Sequence, residues 1–532
     1  MKKFTVVAMV AALMTAGSAF AVQRHLTITP NATFANGLLP SSTNNDDTCD
    51  ISVAPAATLL LPYFEVDFKS AASTARTTLF TITNVSRLPQ VAHVTLWTDW
   101  SYAALDFNIF LTGYDVQAIN MYDIFNRGII APGAIPGVTG STAGTDVRTT
   151  APSLVPSGNP ANAAPATSAV TPGAPNAGAN ANFAVTVGTD CQSQPGRIPD
   201  AYLADIQQVF TTGVPGSIIG AACAPLHIGG VHANAVGYVT IDVANTCTQS
   251  LPSPGYFSTQ ILFDNVLIGD YQDLNPNPAT GNYAGGNPLV HIRAVPEGGP
   301  AGSVPGTNLP FTFYDRYTNG IIPRTIDRRQ PLPSVFAARY IQGGPGLFNT
   351  NYKIWREGLG SATGTSTSCT TSINSSLTVA EIVRFDEHEN ATTAAFSTVP
   401  ISPAPTPTTL TLPETSSTPT SNISVFPSIP PSGDVAGWMY LNLNNGGGPN
   451  LSAQRPGFIG ASGRNVTQNW VIISMFAEGR FSVDFDAAWL GNGCSGAVPV
   501  GATVGPVGGV LVCPAGVTCT PAGSFTGTNV TP

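Results

Sequence analysis

Residues 77–97 read TTLFTITNVSRLPQVAHVTLW, and this stretch decides the fold. In its first half Phe80 and Ile82 fall on one side of an extended chain, Thr81 and Thr83 on the other. The link Val85-Ser86-Arg87-Leu88-Pro89-Gln90 leads into VAHVTLWTD, where Val94 and Leu96 again share a side. Alternation of period two is what a half-buried strand requires, whereas a helix would repeat at 3.6. Working outward, Thr58 to Leu61 runs into Tyr63 to Asp67, and Phe107, Ile109 and Leu111 alternate in turn. Turn residues punctuate these segments every ~8–12 positions, the pattern of an antiparallel sandwich.

The phrase LFTITNVSRLPQVAHVTLW resembles strand pairs of bacterial immunoglobulin-like surface domains. The resemblance covers about 20 residues. It implies a sandwich for this block and carries no function with it.

Further along, Tyr202, Leu203, Ile206, Val209 and Phe210 recur at helical spacing, with Gly213 beyond them, which predicts a helix near 199–210. Strand-like segments follow at 237–243, 256–271 and 288–295, then at 437–443, 469–476 and 480–489. Three stretches are poor in the apolar or charged residues of a folded surface. They are 135–190, 397–433 with nine prolines and one charge (Glu414), and the uncharged 487–532. Such compositions offer little burial to offset chain entropy and predict linkers or loops.

The expected organisation is all-β, with two or more antiparallel sandwich domains (immunoglobulin-like or jelly-roll-like) and one short helix. It reads as a signal peptide at 1–21, a lead-in at 22–50, a sandwich at 51–134 and a low-complexity linker at 135–190. A central β-rich domain at 191–396, a Pro/Thr/Ser-rich linker at 397–433, strands at 434–489 and a Cys-containing tail at 490–532 complete it.

The signal-peptide expectation rests on Met1-Lys2-Lys3, an apolar run to Ala16, and the small-x-small ending Ala19-Phe20-Ala21, which would leave Val22 first. No later stretch holds the ~18 apolar residues of a transmembrane helix. Loss of Lys2 and Lys3 would leave 19 basic against 30 acidic residues, a net charge of −11. An acidic, lysine-poor chain argues against nonspecific nucleic-acid binding, which needs many cations on phosphate. Only 10% of residues are charged, so hydroxyl and amide groups take the polar duty. Eight cysteines, none in a CxxC pair, predict disulfides in an oxidising compartment: periplasm, outer surface or extracellular space.

Motifs that fix a reaction are missing: no HExxH, GxSxG, Walker loop or GxGxxG entering a helix. His227 and His232 flank a Gly-Gly turn, a spacing open to a shared metal or to separate hydrogen bonds. Asp386-Glu387-His388-Glu389 reads as a solvated turn. Trp97, Asp99, Trp100 and Tyr102 read as core packing at a strand end. Asp270, Asp273, Asn275 and Asn277 offer oxygens across what reads as a loop after a strand, a candidate calcium site. The sharpest anomaly is local charge: Arg316, Arg324, Arg328, Arg329, Arg339, Lys353 and Arg356 lie close together in sequence, beside Tyr340 and Trp355. Arginine forks with interleaved aromatics suit an anionic glycan or another envelope polymer, with Arg324, Arg328, Arg329, Arg339, Tyr340, Trp355 and Arg356 as contacts. Paired with Asp315, Asp327 and Glu357, the same cations would be scaffold. The reading that follows is an exported, non-catalytic envelope or extracellular protein with a structural or adhesive role. The alternatives are a secreted hydrolase of glycans or polymers and a polyanion-binding module centred on 316–356.

Overall fold

A computed structural model describes residues 51–130, 198–244, 256, 260–276, 283–294, 312–314, 327–357, 377–393, 411–443 and 468–490, with short breaks inside these ranges. It also describes paired two-residue strands at 169–170 with 183–184 and 503–504 with 511–512. The described part is built from antiparallel sheets with little helix, as the alternation predicts.

The first half contributes β1 (Thr58–Val66), β2 (Thr77–Asn84), β3 (Gln90–Thr98), β4 (Ala103–Leu111) and β5 (Val116–Asn120). After these come α1 (Asp200–Thr212), β6 (Ala235–Ala244), β7 (Leu267–Ile268), β8 (Asp270–Asn275), β9 (Tyr283–Pro288) and β10 (Val290–Ile292). One sheet runs β10-β1-β6-β3-β4; the other runs β9-β8-β2-β5, with β7 beside β2. β6 lies between β1 and β3, pairing Leu60 with Thr240 and Val94 with Ile241. The expected sandwich at 51–134 is therefore not closed by itself: its central strand comes from 235–244. The predicted helix forms, and Gly213 ends it with a left-handed φ of +66°, returning its N–H to Val209 O at 3.0 Å. Phe210 carries α1 onto this unit, with ring centroids 5.8 Å from Phe64 and 5.1 Å from Phe125.

The second half contributes β11 (Val335–Ile341), β12 (Phe348–Arg356), β13 (Glu381–Asp386), β14 (Ala391–Thr393), β15 (Thr415–Pro419), β16 (Ala436–Asn442), β17 (Asn469–Ala477), β18 (Phe481–Asp486) and β19 (Ala488–Trp489). Its sheets order β14-β13-β16-β11-β19 and β15-β12-β17-β18. Here the composition misleads. β15 lies inside the Pro-rich 397–433 and pairs with β12, while Phe426 is buried with its ring edge-on to Tyr352 at 5.3 Å. Buried Arg384 donates to Thr420 O and Pro427 O, both at 3.2 Å, so this apolar-poor segment gains backbone partners instead of solvent.

β1, β3, β6, β12 and β17 are buried along most or all of their length, which means both faces are covered. On β12 and β17, Tyr352, Ile354, Val471 and Ile473 join the core between the second pair of sheets. Their alternate neighbours Trp355, Trp470 and Ile472 join the core of the first half. Trp355 is the link: it meets Tyr238 edge-on at 5.9 Å and Phe313 at 5.5 Å. The sheet containing β12 thus serves two cores at once, and Trp355→Ala should lower stability by about 3–5 kcal/mol. Urea unfolding of the variant checks this; a loss under about 1 kcal/mol would show that the two halves do not depend on the contact.

Candidate functional site

Among the described residues, most of the arginine-rich segment lies inside the protein instead of on a surface patch. Arg329, Arg356, Tyr340 and Trp355 are all buried; Arg324 and Arg328 lie outside the described residues. Among the described members Arg339 on β11 is exposed, and it faces Glu387 at 3.5 Å. The reason for the burial is pairing. Arg329 reaches Asp327 at 3.1 Å, Asp242 at 3.6 Å and Leu262 O at 3.1 Å, and its Nε donates to Thr58 Oγ1. Tyr314 and Tyr256 donate to the other oxygen of Asp242 at 2.7 and 2.9 Å. Desolvation weakens the Arg329 guanidinium's hold on its proton, but Asp242 and Asp327 outweigh it and strengthen that hold. Arg356 spends its fork on Asn469 Oδ1 and Leu443 O, and Arg384 stacks 4.0 Å over the Tyr340 ring.

The calcium expectation is corrected too. Residues 270–275 are strand β8, not a loop, and its alternation exposes Asp270 while burying Asp273 and Asn275. The two carboxylates therefore face opposite sides and cannot share an ion. Asn277 lies outside the described residues. Asp273 is instead neutralised by protein cations.

Those cations belong to a chain of alternating charge between the two halves. Arg76 joins Glu65 at 2.5 Å to Asp273 at 2.8 Å. Lys353 Nζ then bridges Asp273 at 3.2 Å and Asp484 at 2.7 Å. Asp484 also accepts from Tyr271 OH at 3.1 Å and Ser474 Oγ at 2.7 Å, while the ammonium sits 5.4 Å over the Tyr271 ring. Beside it, Asp486 accepts from Asn287 Nδ2 at 2.8 Å and Trp470 Nε1 at 2.9 Å. Asp273, Tyr271 and Asn287 come from the first half; Lys353, Asp484, Ser474, Asp486 and Trp470 come from the second. β9 and β18 can approach because Gly285 has no side chain: a Cβ there would come within 2.5 Å of Asp484 Oδ1. Burial would raise the Asp273 carboxyl, but Arg76 and Lys353 outweigh it and hold it at about 2. Asp486 has no such cation, and burial pushes it up to about 6 against its two hydrogen bonds.

Two imidazole–carboxylate pairs reach the surface. His232 Nε2 meets Asp99 Oδ2 at 2.8 Å, and Asp99 Oδ1 accepts the Gly230 N–H at 2.8 Å. The Gly-Gly turn thus brings His232 to Asp99, while His227 packs its ring 6.4 Å from Trp100. Trp97 is core, stacked on Tyr238 and donating to Thr240. In the second half, Asp386, His388 and Asp434 place one ligand atom each within 4.8 Å of one another. Sequence reasoning missed the bridge to Asp434, 46 residues away, and it missed the partners of Lys353 altogether. Their signal was the polar alternation of β12 and β18, which looks the same whether that face meets water or another sheet. Cys223, the one cysteine among the described residues, is buried and disulfide-bonded.

Removing one partner of a buried ion cluster leaves uncompensated charge, so Lys353→Met should cost about 3–5 kcal/mol. Adding Asp484→Asn should restore part of that loss in a double-mutant cycle. Strict additivity of the two would mean the ammonium and the carboxylate do not act on each other.

The pH dependence has two limbs of opposite sign. Asp273 is lowered on folding, so its contribution is present above the ordinary carboxylate range and fades as pH falls toward about 2. Asp486 is raised, so its contribution is full near pH ~4 and is lost as pH rises through about 6. The difference in melting temperature between wild type and Asp486→Asn should therefore change between pH 4 and 7 in favour of the variant at the higher pH. A difference that stays flat over that range would contradict the burial of this carboxyl.

Compared with protein-family models, curated proteins and solved structures, the chain matches none.

Proposed function

We propose that this chain is exported and serves as a non-catalytic structural or adhesive protein of a bacterial envelope or the space outside it, its sandwiches acting as one stiff unit akin to immunoglobulin-like surface domains. The observation that carries this reading is the Lys353 ammonium buried between Asp273 and Asp484. Charges placed there serve to hold two halves in one geometry, which suits a part that transmits force or spaces a surface. The low charge content and hydroxyl-rich composition accord with life outside the cell. So does the apolar N-terminal run ending Ala19-Phe20-Ala21.

A second reading, a secreted hydrolase, has one observation in its favour. Asp99 orients the half-buried His232 in the manner of a general base. Two experiments address the pair of readings. Cell fractionation of the full chain expressed in a bacterium with two membranes should find it outside the cytoplasm, beginning at Val22. Recovery in the cytosol with Met1 retained would end the exported reading. Assay of that material on a panel of glycans and polyesters should show no turnover that His232→Ala abolishes; turnover lost in that variant would replace the structural reading with the hydrolase.

A further inference from the structure

The turn between β13 and β14 holds an arrangement that neither packing nor the proposed role uses. Asp386, wholly buried at the end of β13, has its carboxylate fixed from below. Oδ1 accepts the backbone N–H of His388 at 2.9 Å and of Asn390 at 2.8 Å, and Oδ2 accepts Asn390 Nδ2 at 2.8 Å. β13 pairs with β16, putting Asp386 opposite Gly437 and bringing Asp434, just before β16, to the same end of the sheet. His388 projects from the turn with its side chain 71% exposed, and its Nδ1 meets Asp434 Oδ2 at 2.6 Å. One imidazole nitrogen and two carboxylate oxygens, from two separated segments, thus lie within 4.8 Å of one another. Ligands at ~2.0–2.2 Å from a four- or six-coordinate ion sit about 3.0–3.5 Å apart, so the His388–Asp434 pair opens from 2.6 Å while the wider separations, within 4.8 Å, close.

From this convergence we propose that Asp386, His388 and Asp434 bind a divalent transition ion of the zinc class, with water completing the coordination. The imidazole sets the class: hard ions such as calcium take all-oxygen shells, whereas a nitrogen with carboxylates suits zinc and its neighbours. Charge favours a dication. Glu387 and Glu389 flank His388 on the turn, and among the described residues the cation facing them from β11 is Arg339, 3.5 Å from Glu387. A proton on His388 balances one carboxylate, whereas a divalent ion in its place balances two. The backbone and Asn390 donors to Asp386 supply the outer shell that fixes a ligating carboxylate. A ligating imidazole must be neutral, so ion and proton compete for His388 and binding weakens as pH falls.

The test is calorimetric titration of the untagged full chain with ZnCl2 at pH 7.5 and 5.5, with Co2+ absorption as a second readout. One ion per chain is expected at pH 7.5, with weaker binding at pH 5.5. His388→Gln and Asp434→Asn should each weaken binding by at least about tenfold. His388 is exposed, so His388→Gln should keep the wild-type melting temperature without metal, which separates loss of a ligand from loss of fold. No binding by wild type, or equal Zn2+ affinity in wild type and both variants, overturns the site. Calcium binding that survives in His388→Gln while zinc fails to bind overturns the ion class.

Discussion

The Lys353 ammonium is the constraint on which the arrangement of the two halves depends. Lys69 and Lys353 are the only lysines after residue 3, and Lys353 is buried. A charge taken out of water at that depth is tolerable only where opposite charges and hydrogen bonds meet it. One of its acids, Asp273, stands on β8 and the other, Asp484, on β18, so no movement of one half past the other keeps both contacts. Tyr271 repeats the demand by donating to Asp484 while its ring lies under the ammonium. The absence of a side chain at Gly285 then becomes a requirement of the contact rather than of the backbone.

This same arrangement explains what was and was not legible in the sequence. Alternation located β2, β3, β4, β6, β16, β17 and β18 and helical spacing located α1, because those signals come from one buried face and need no knowledge of the partner. Which sheet a strand enters is a long-range matter. Nothing in 77–97 says that β3 will lie between β4 and the distant Gly237 to Ala244. The polar positions of alternating strands were harder still. Thr58, Asp242, His93 and Asn108 form one cross-strand row on β1, β6, β3 and β4, and all four are buried. A row of that composition reads as a solvent face. It is an interior one because Arg329, Tyr256 and Tyr314 cover it and satisfy Asp242.

The described members of the candidate sites sit elsewhere than expected for related reasons. Seven neighbouring cations with three nearby acids in sequence looked like surplus positive charge. For the described members distant groups complete the count: Asp242 for Arg329, Asp273 and Asp484 for Lys353, and the carbonyls of Leu262 and Leu443 for Arg329 and Arg356. The oxygen-rich run at 270–277 looked like a loop because Asp and Asn favour turns, yet cross-strand pairing with β2 and β9 overrides that preference. The cluster at Asp386 was half visible: Glu387, His388 and Glu389 are exposed as a solvated turn would have them, but Asp386 is buried at the end of β13 and Asp434 enters through the register of β16 on β13.

Arginine rather than lysine fills most of the buried cationic positions described here, and the geometry gives the reason. A guanidinium presents five donors in a plane, enough to meet a carboxylate and still serve a carbonyl that no strand reaches. Arg384 ties Thr420 and Pro427 to the second half in this way, and Arg329 ties Leu262 to the first. Proline-rich, charge-poor segments cannot supply side-chain partners for their own carbonyls, so a chain with long stretches of that kind gains order wherever a buried fork reaches them. Lys353 is the exception because its task differs: a single ammonium between two carboxylates needs no fork, and it lies 5.4 Å over the Tyr271 ring. The identity of each buried cation therefore follows from whether it fastens a loop to a sheet or one sheet to another.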